Sequence, residues 1–199
     1  MNYTTLDYYY VTFLVLTILT LLIKFNRNEL NELFTLKNTI MKGNEKLITV
    51  LNSLLADELT AINQYMVHSE MCENWGYGKL HAAIRKQAMD EMFHAEWLIE
   101  RIIFLDGAPT VSILNPMKIG KTVLEMIKND NGDELKAVNA YNAAIKLGRE
   151  VDDQGSVDLL TKILKMEEGH VDWAEKQRAQ VDQMGLENYL ESQIGDPKN

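Results

Sequence analysis

A short phrase occurs twice in this chain, Glu91-Met92-Phe93-His94 and Glu167-Glu168-Gly169-His170. Each sets a carboxylate three residues before an imidazole, and on an α-helix positions i and i+3 share one face. Both phrases fall inside apolar helical stripes: Leu80, Ile84, Gln87, Glu91, His94, Leu98, and Leu160, Ile163, Leu164, Glu167, His170, Ala174. Two further glutamates interrupt stripes of the same kind. Glu58 lies among Leu51, Leu54, Leu55, Ile62 and Tyr65, and Glu134 among Ile127, Val138, Tyr141 and Ile145. A carboxylate on the buried side of a helix is costly unless it is paired or binds a cation. Four in one core would repel each other strongly without positive charge between them. The pattern therefore points to a site for two metal ions.

Spacing adds order to this set. Glu58 precedes Glu91 by 33 residues, and Glu134 precedes Glu167 by the same 33. The chain reads as two helical hairpins, each contributing one lone Glu and one Glu-x-x-His. The expected helices cover residues 44–74, 79–105, 122–151 and 156–183, with Ser156 expected as the N-cap of the fourth. A brief fifth helix is expected over 186–194. Residues 106–121 carry Pro109 and Pro116 and have no helical period. Extended, they reach about 50 Å, enough to travel the length of a helix of about 40 Å. The fold class is all-α, a four-helix bundle with one long crossover and a short C-terminal helix.

Residues 1–40 differ from the rest. Residues 8–23 are uncharged and about 24 Å long as a helix, slightly short of a bilayer core of about 30 Å. No basic residue precedes this run and no small-residue cleavage site follows it, which argues against a secretory signal. Three readings stand for residues 1–40: an extension ahead of a true start at Met41, a membrane anchor, or a soluble extra helix. If a span forms, Lys24 and Arg27 place the following domain, residues 41–199, in the cytoplasm. None of these forty residues carries chemistry.

Charge and cysteine content narrow the functions. A net charge of −9 argues against a nucleic-acid partner. Cys72 is the sole cysteine, so no intrachain disulfide or thiolate cluster can form, and it is expected to be a packing residue in a reducing compartment. Carboxylate and imidazole donors suit iron, manganese or zinc. The expected ligands are Glu58, Glu91, His94, Glu134, Glu167 and His170, with Glu91, Glu167 or both bridging. Four carboxylates balance two divalent cations in formal charge, and six protein ligands leave coordination positions open. Tyr65, two turns beyond Glu58, is expected either to hydrogen-bond a ligand or donate an electron, or to be a core tyrosine with a satisfied hydroxyl.

The ligand set is that of ferritin-like di-iron carboxylate proteins, and three stretches resemble bacterioferritin in particular: LLADELTAINQY (54–65), DEMFHAEWLIERIIFLDGAP (90–109) and KMEEGHVDWAEKQ (165–177). The resemblance spans residues 41–199. It implies a cytoplasmic 24-subunit cage built from two-fold dimers. Such a cage binds two Fe per subunit, oxidises Fe(II) with oxygen or peroxide, stores ferric mineral and releases it after reduction, in some relatives by a ferredoxin. By resemblance Met92 is the haem ligand, meeting its twin across a two-fold axis so that two subunits share one haem. One position departs from the family pattern: Lys86 stands where an inner-surface His commonly accompanies Asp90, and a protonated lysine cannot ligate iron. Membrane spans radiating from a closed shell could not enter one flat bilayer, which sits badly with the anchor reading of residues 1–40. Two rivals remain, a non-cage di-iron oxidase or peroxidase of the rubrerythrin type and a structural or light haem-binding subunit of a mixed cage. The first lacks a Cys-x-x-Cys iron site here, and the second requires a damaged ligand set.

Overall fold

The computed structural model describes residues 16–20, 24, 27, 29–32 and 41–195. The chain divides into two units, Met1–Met41 and Lys42–Asn199. Apart from Met41, the described residues of the first unit are helical. Most of the apolar run over residues 8–23 lies outside the described residues. Among those described, no helix is long and apolar enough to cross a membrane.

In the second unit α1 is Glu45–Asn74, α2 Gly78–Phe104, α3 Val123–Glu150, α4 Gln154–Met184 and α5 Leu186–Ser192. Local chemistry sets the ends. The Asn44 side chain accepts from the backbone N–H of Lys46 and Leu47 at 2.9 and 3.2 Å, satisfying two of the first turn's open donors. Thr122 caps α3 by accepting from Glu125 N at 3.2 Å, while the Glu125 carboxylate accepts from Lys121 N at 2.8 Å. Gly185 ends α4 at φ 81°, a left-handed conformation that a side chain would oppose. One expected cap is corrected: α4 starts at Gln154, and Asp153 caps it by accepting from Ser156 N at 3.0 Å. Ser156 is fully buried and its hydroxyl accepts from Arg101 Nε at 2.9 Å, so a tertiary partner has taken the group expected to cap.

Helices α1 and α2 form one antiparallel hairpin and α3 and α4 the other. Their apolar faces make two clusters. One holds Leu51, Leu55, Leu98, Ile102, Tyr141, Leu160 and Ile163. The other holds Tyr65, Cys72, Leu80, Ile84, Met126, Ile127 and Ala174. Each long helix passes from one cluster to the other, and Glu58, Glu91, Glu134 and Glu167 lie between the two in sequence on their four helices. Burying the apolar side chains on either side, at roughly 1.5–3 kcal/mol each, offsets the desolvation of the charges in the middle.

The crossover is held along α1 by a ladder of side chains. Thr110 N donates to Asn52 Oδ1 at 2.7 Å, Asn115 N to Thr60 Oγ1 at 2.8 Å, Lys118 N to Gln64 Oε1 at 2.7 Å and Gly120 N to His68 Nε2 at 3.0 Å. A segment without internal hydrogen bonds thus satisfies its backbone on its neighbour. Because Nε2 of His68 accepts, Nδ1 carries the proton and donates to Asp130 Oδ2 at 2.9 Å, fixing α3 to α1. Gly120 approaches α3 so closely that a Cβ would lie 2.4 Å from Met126 N, which leaves no residue but glycine there.

Candidate metal centre

Midway along the bundle the four long helices bring the six expected residues together, all nearly closed to solvent (His94 0% and His170 7% exposed). Their donor atoms form two groups, each gathered within 4.8 Å: Glu58, Glu91, His94, Glu167, and Glu91, Glu134, Glu167, His170. Glu91 and Glu167 belong to both. Each histidine turns Nδ1 inward. His94 Nδ1 lies 2.7 Å from Glu91 Oε2, 2.9 Å from Glu167 Oε1 and 3.6 Å from Glu58 Oε2. His170 Nδ1 lies 2.9 Å from Glu91 Oε1 and 3.6 Å from both Glu134 Oε1 and Glu167 Oε2. The far nitrogens face other partners: His94 Nε2 is 3.4 Å from Met166 Sδ, and His170 Nε2 is 3.5 Å from Asp90 Oδ2.

The fit of this pocket to cations is visible in what its atoms lack. Glu91 Oε1, Glu167 Oε1 and His170 Nδ1 are buried and make no hydrogen bond, although they stand within 3 Å or so of other polar atoms. Buried polar atoms without partners are rare because each costs about 1–3 kcal/mol. Three at one point, all lone-pair donors of the types that bind divalent ions, describe a place for positive charge. Protonation shows the same demand. Burial, then the neighbouring carboxylates Glu167 and Glu91, push Glu58 well above the ordinary carboxyl range. Glu134 is likewise pushed up, chiefly by burial. Burial alone would lower His94, but the carboxylates of Glu167, Glu58 and Glu91 around its Nδ1 outweigh it and hold the ring up at about 12. His170 is raised as well, against burial, by the surrounding carboxylates of Glu134, Glu167 and Glu91. Glu167, opposed by burial, is drawn down to about 2 by His170 and His94. Protons take up the compensating charge that cations would otherwise supply.

Two phenols complete the surroundings. Tyr65 donates to Glu134 Oε1, across the bundle rather than to Glu58 on its own helix. Tyr141 donates to Glu58 Oε1. Sequence reasoning counted Tyr141 only as a stripe residue. A cavity of about 440 Å³ reaches the cluster, with Glu58, Glu91, Glu134 and Glu167 on its inner wall and Asp133, Lys118 and Lys136 toward solvent. Met92, one position beyond Glu91, turns away from the centre and is 45% exposed beside Met89 and Phe93. Lys86 Nζ binds Asp90 Oδ2.

Comparison with known proteins agrees with this fold. Residues 48–184 match the model of the ferritin-like domain. The bacterial ferritin of Synechocystis is 41% identical over 155 residues, 77% of this chain and 99% of its own length. The bacterioferritin of Mycobacterium bovis is 39% identical over 157 residues, 79% of this chain and 99% of its own. A bacterial ferritin of Paramagnetospirillum magnetotacticum is 39% identical over 158 residues, covering 78% and 96%. The chain belongs to the bacterioferritin family of ferritins.

Proposed function

We propose that this chain stores iron and oxidises it, binding Fe(II) at the two groups of donors and passing Fe(III) to a mineral inside a closed cage. The observation that carries the reading is the pair of buried carboxylate–imidazole groups sharing Glu91 and Glu167. Ferrous iron here is substrate and cargo, and two ions side by side give two electrons to one molecule of dioxygen or peroxide. Glu58 and His94 would hold one ion, Glu134 and His170 the other, with Glu91 and Glu167 between them. The protons now on the two lone glutamates and the histidines leave as metal enters, so binding is itself proton-releasing. Tyr65 steadies Glu134 by its hydrogen bond and stands close enough to serve as an electron donor. Asp90, held by Lys86, stands 3.5 Å from His170 Nε2 and places a negative charge beside the ring's outer nitrogen.

The apolar face of Met92, Met89 and Phe93 supports a subunit contact there. At that contact Met92 and its twin would grip one haem between two subunits of a 24-subunit shell, with a ferredoxin as the reductant for release. The acidic charge and the single buried free cysteine suit the cytoplasm. Residues 41–199 form the iron-handling domain, and residues 1–40 take no part in its chemistry.

The test is aerobic titration of the metal-free protein with ferrous iron, followed by absorbance and by particle size. Rapid oxidation by a particle of about two dozen subunits is expected. Slow oxidation at the rate of iron in buffer, or a fast-oxidising dimer, overturns the storage reading. A Met92→Leu variant is expected to lose the haem Soret band entirely while still oxidising iron. Retention of that band removes Met92 as the ligand.

A further inference from the structure

The repeat that places the metal-binding groups extends to one more pair. Glu58, Glu91 and His94 recur 76 positions later as Glu134, Glu167 and His170, and Tyr65 recurs at the same interval as Tyr141. Each tyrosine stands seven residues after the lone glutamate of its own helix, yet donates to the glutamate of the other hairpin: Tyr65 to Glu134, Tyr141 to Glu58. The two bonds cross between α1 and α3, one at each metal position. Both phenols are buried, at 3% and 0% exposure. A buried tyrosine needs only one acceptor of any kind. Here both have the same kind of acceptor, a carboxylate of the centre, which puts each ring one hydrogen bond and one carboxyl group from a metal position.

We propose that Tyr141 is a second electron-donating tyrosine of the centre, matched to Tyr65, so that two ferrous ions and two phenols together supply the four electrons that reduce one dioxygen to water. The balance is O2 + 2 Fe(II) + 2 tyrosine O–H + 2 H+ giving 2 Fe(III) + 2 tyrosyl radicals + 2 H2O. In each phenol the O–H bond breaks. The electron goes to the oxidant, and the proton crosses the hydrogen bond to Glu58 or Glu134 and ends in product water. The two remaining protons come from solvent. A further ferrous ion and a proton return each radical to phenol. With both phenols replaced, only two electrons are at hand and reduction stops at hydrogen peroxide. The proposal rests on the ferroxidase reading given above.

The experiment mixes metal-free protein, loaded anaerobically with two ferrous ions per subunit, with dioxygen, and freezes it at intervals for electron paramagnetic resonance. Released peroxide is assayed in parallel. Four proteins are compared: wild type, Tyr65→Phe, Tyr141→Phe and the double variant. Cobalt(II) absorption titrations of the metal-free forms report whether each still takes two ions. Tyr65→Phe is expected to keep a tyrosyl signal that the double variant lacks, and the double variant is expected to release one peroxide for every two ions oxidised while the wild type releases none. A Tyr65→Phe protein that oxidises iron without any radical, or a signal that survives in the double variant, overturns the role of Tyr141 and leaves the ferroxidase reading standing. Failure of the wild type to consume dioxygen removes both.

Discussion

Glu91→Ala is expected to lower the rate of ferrous oxidation by at least about 100-fold, since even partners outside the ligand shell cost about 10- to 100-fold when removed. The reason is placement. Glu91 is one of two residues common to both donor groups, and its oxygens face both rings, Oε2 at 2.7 Å from His94 Nδ1 and Oε1 at 2.9 Å from His170 Nδ1. Truncating it removes a donor and a negative charge from each metal position at once. Glu58→Ala, which touches one group, is expected to leave the second position able to bind. Apolar clusters on both sides of the centre keep the bundle folded in either variant. Stopped-flow absorbance with ferrous iron, together with cobalt(II) stoichiometry and far-ultraviolet dichroism, checks each part. Wild-type rates in Glu91→Ala would remove it from the centre.

The second large effect is on stability. At a thousandfold excess over its dissociation constant each bound ion contributes about 4 kcal/mol, so two contribute about 8 kcal/mol. For a domain of this size that raises the unfolding midpoint by roughly 15–30 °C. The pH dependence follows from the directions of the shifts. Glu58, Glu134, His94 and His170 hold their protons more tightly folded than unfolded. Such groups contribute stability below their unfolded pKa and lose it as pH rises toward the folded value. For the histidines that window opens near 6.5 and for His94 closes near 12. Glu167, drawn down to about 2, works the other way but only below about 4.5. The metal-free protein is therefore expected to weaken from pH 7 to 9. The zinc-loaded protein has already given up those protons and is expected to hold steady, so the gap between the two widens with pH. Calorimetry at pH 7, 8 and 9 with and without zinc measures it. A metal-free midpoint that rises over this range contradicts the protonation pattern.

Much of this was legible in the sequence because buried charge has few inexpensive explanations. Glu58, Glu91, Glu134 and Glu167 interrupt apolar stripes, and the two Glu-x-x-His phrases put each imidazole beside a carboxylate by helical spacing alone. The expected helix bounds fall within a residue or two of the observed ones, since capping is local chemistry. What was not legible depends on contacts between distant segments. Ser156 has the right type for a cap, but Arg101 engages it and Asp153 caps instead. Nothing local marks Asn52, Thr60, Gln64 and His68 as the anchors of the crossover, or pairs His68 with Asp130. Tyr141 stood in plain view in its stripe, where an aromatic looks like core. Only the 76-residue repeat distinguishes it, and its bond to Glu58 shows why the repeat matters.

Diffraction recorded at the iron absorption edge, from crystals given ferrous iron without air, tests the centre most directly. Two anomalous peaks per subunit are expected, one among Glu58, Glu91, His94 and Glu167 and one among Glu91, Glu134, Glu167 and His170. A single peak, or iron found only on the outer surface of the bundle, would contradict it.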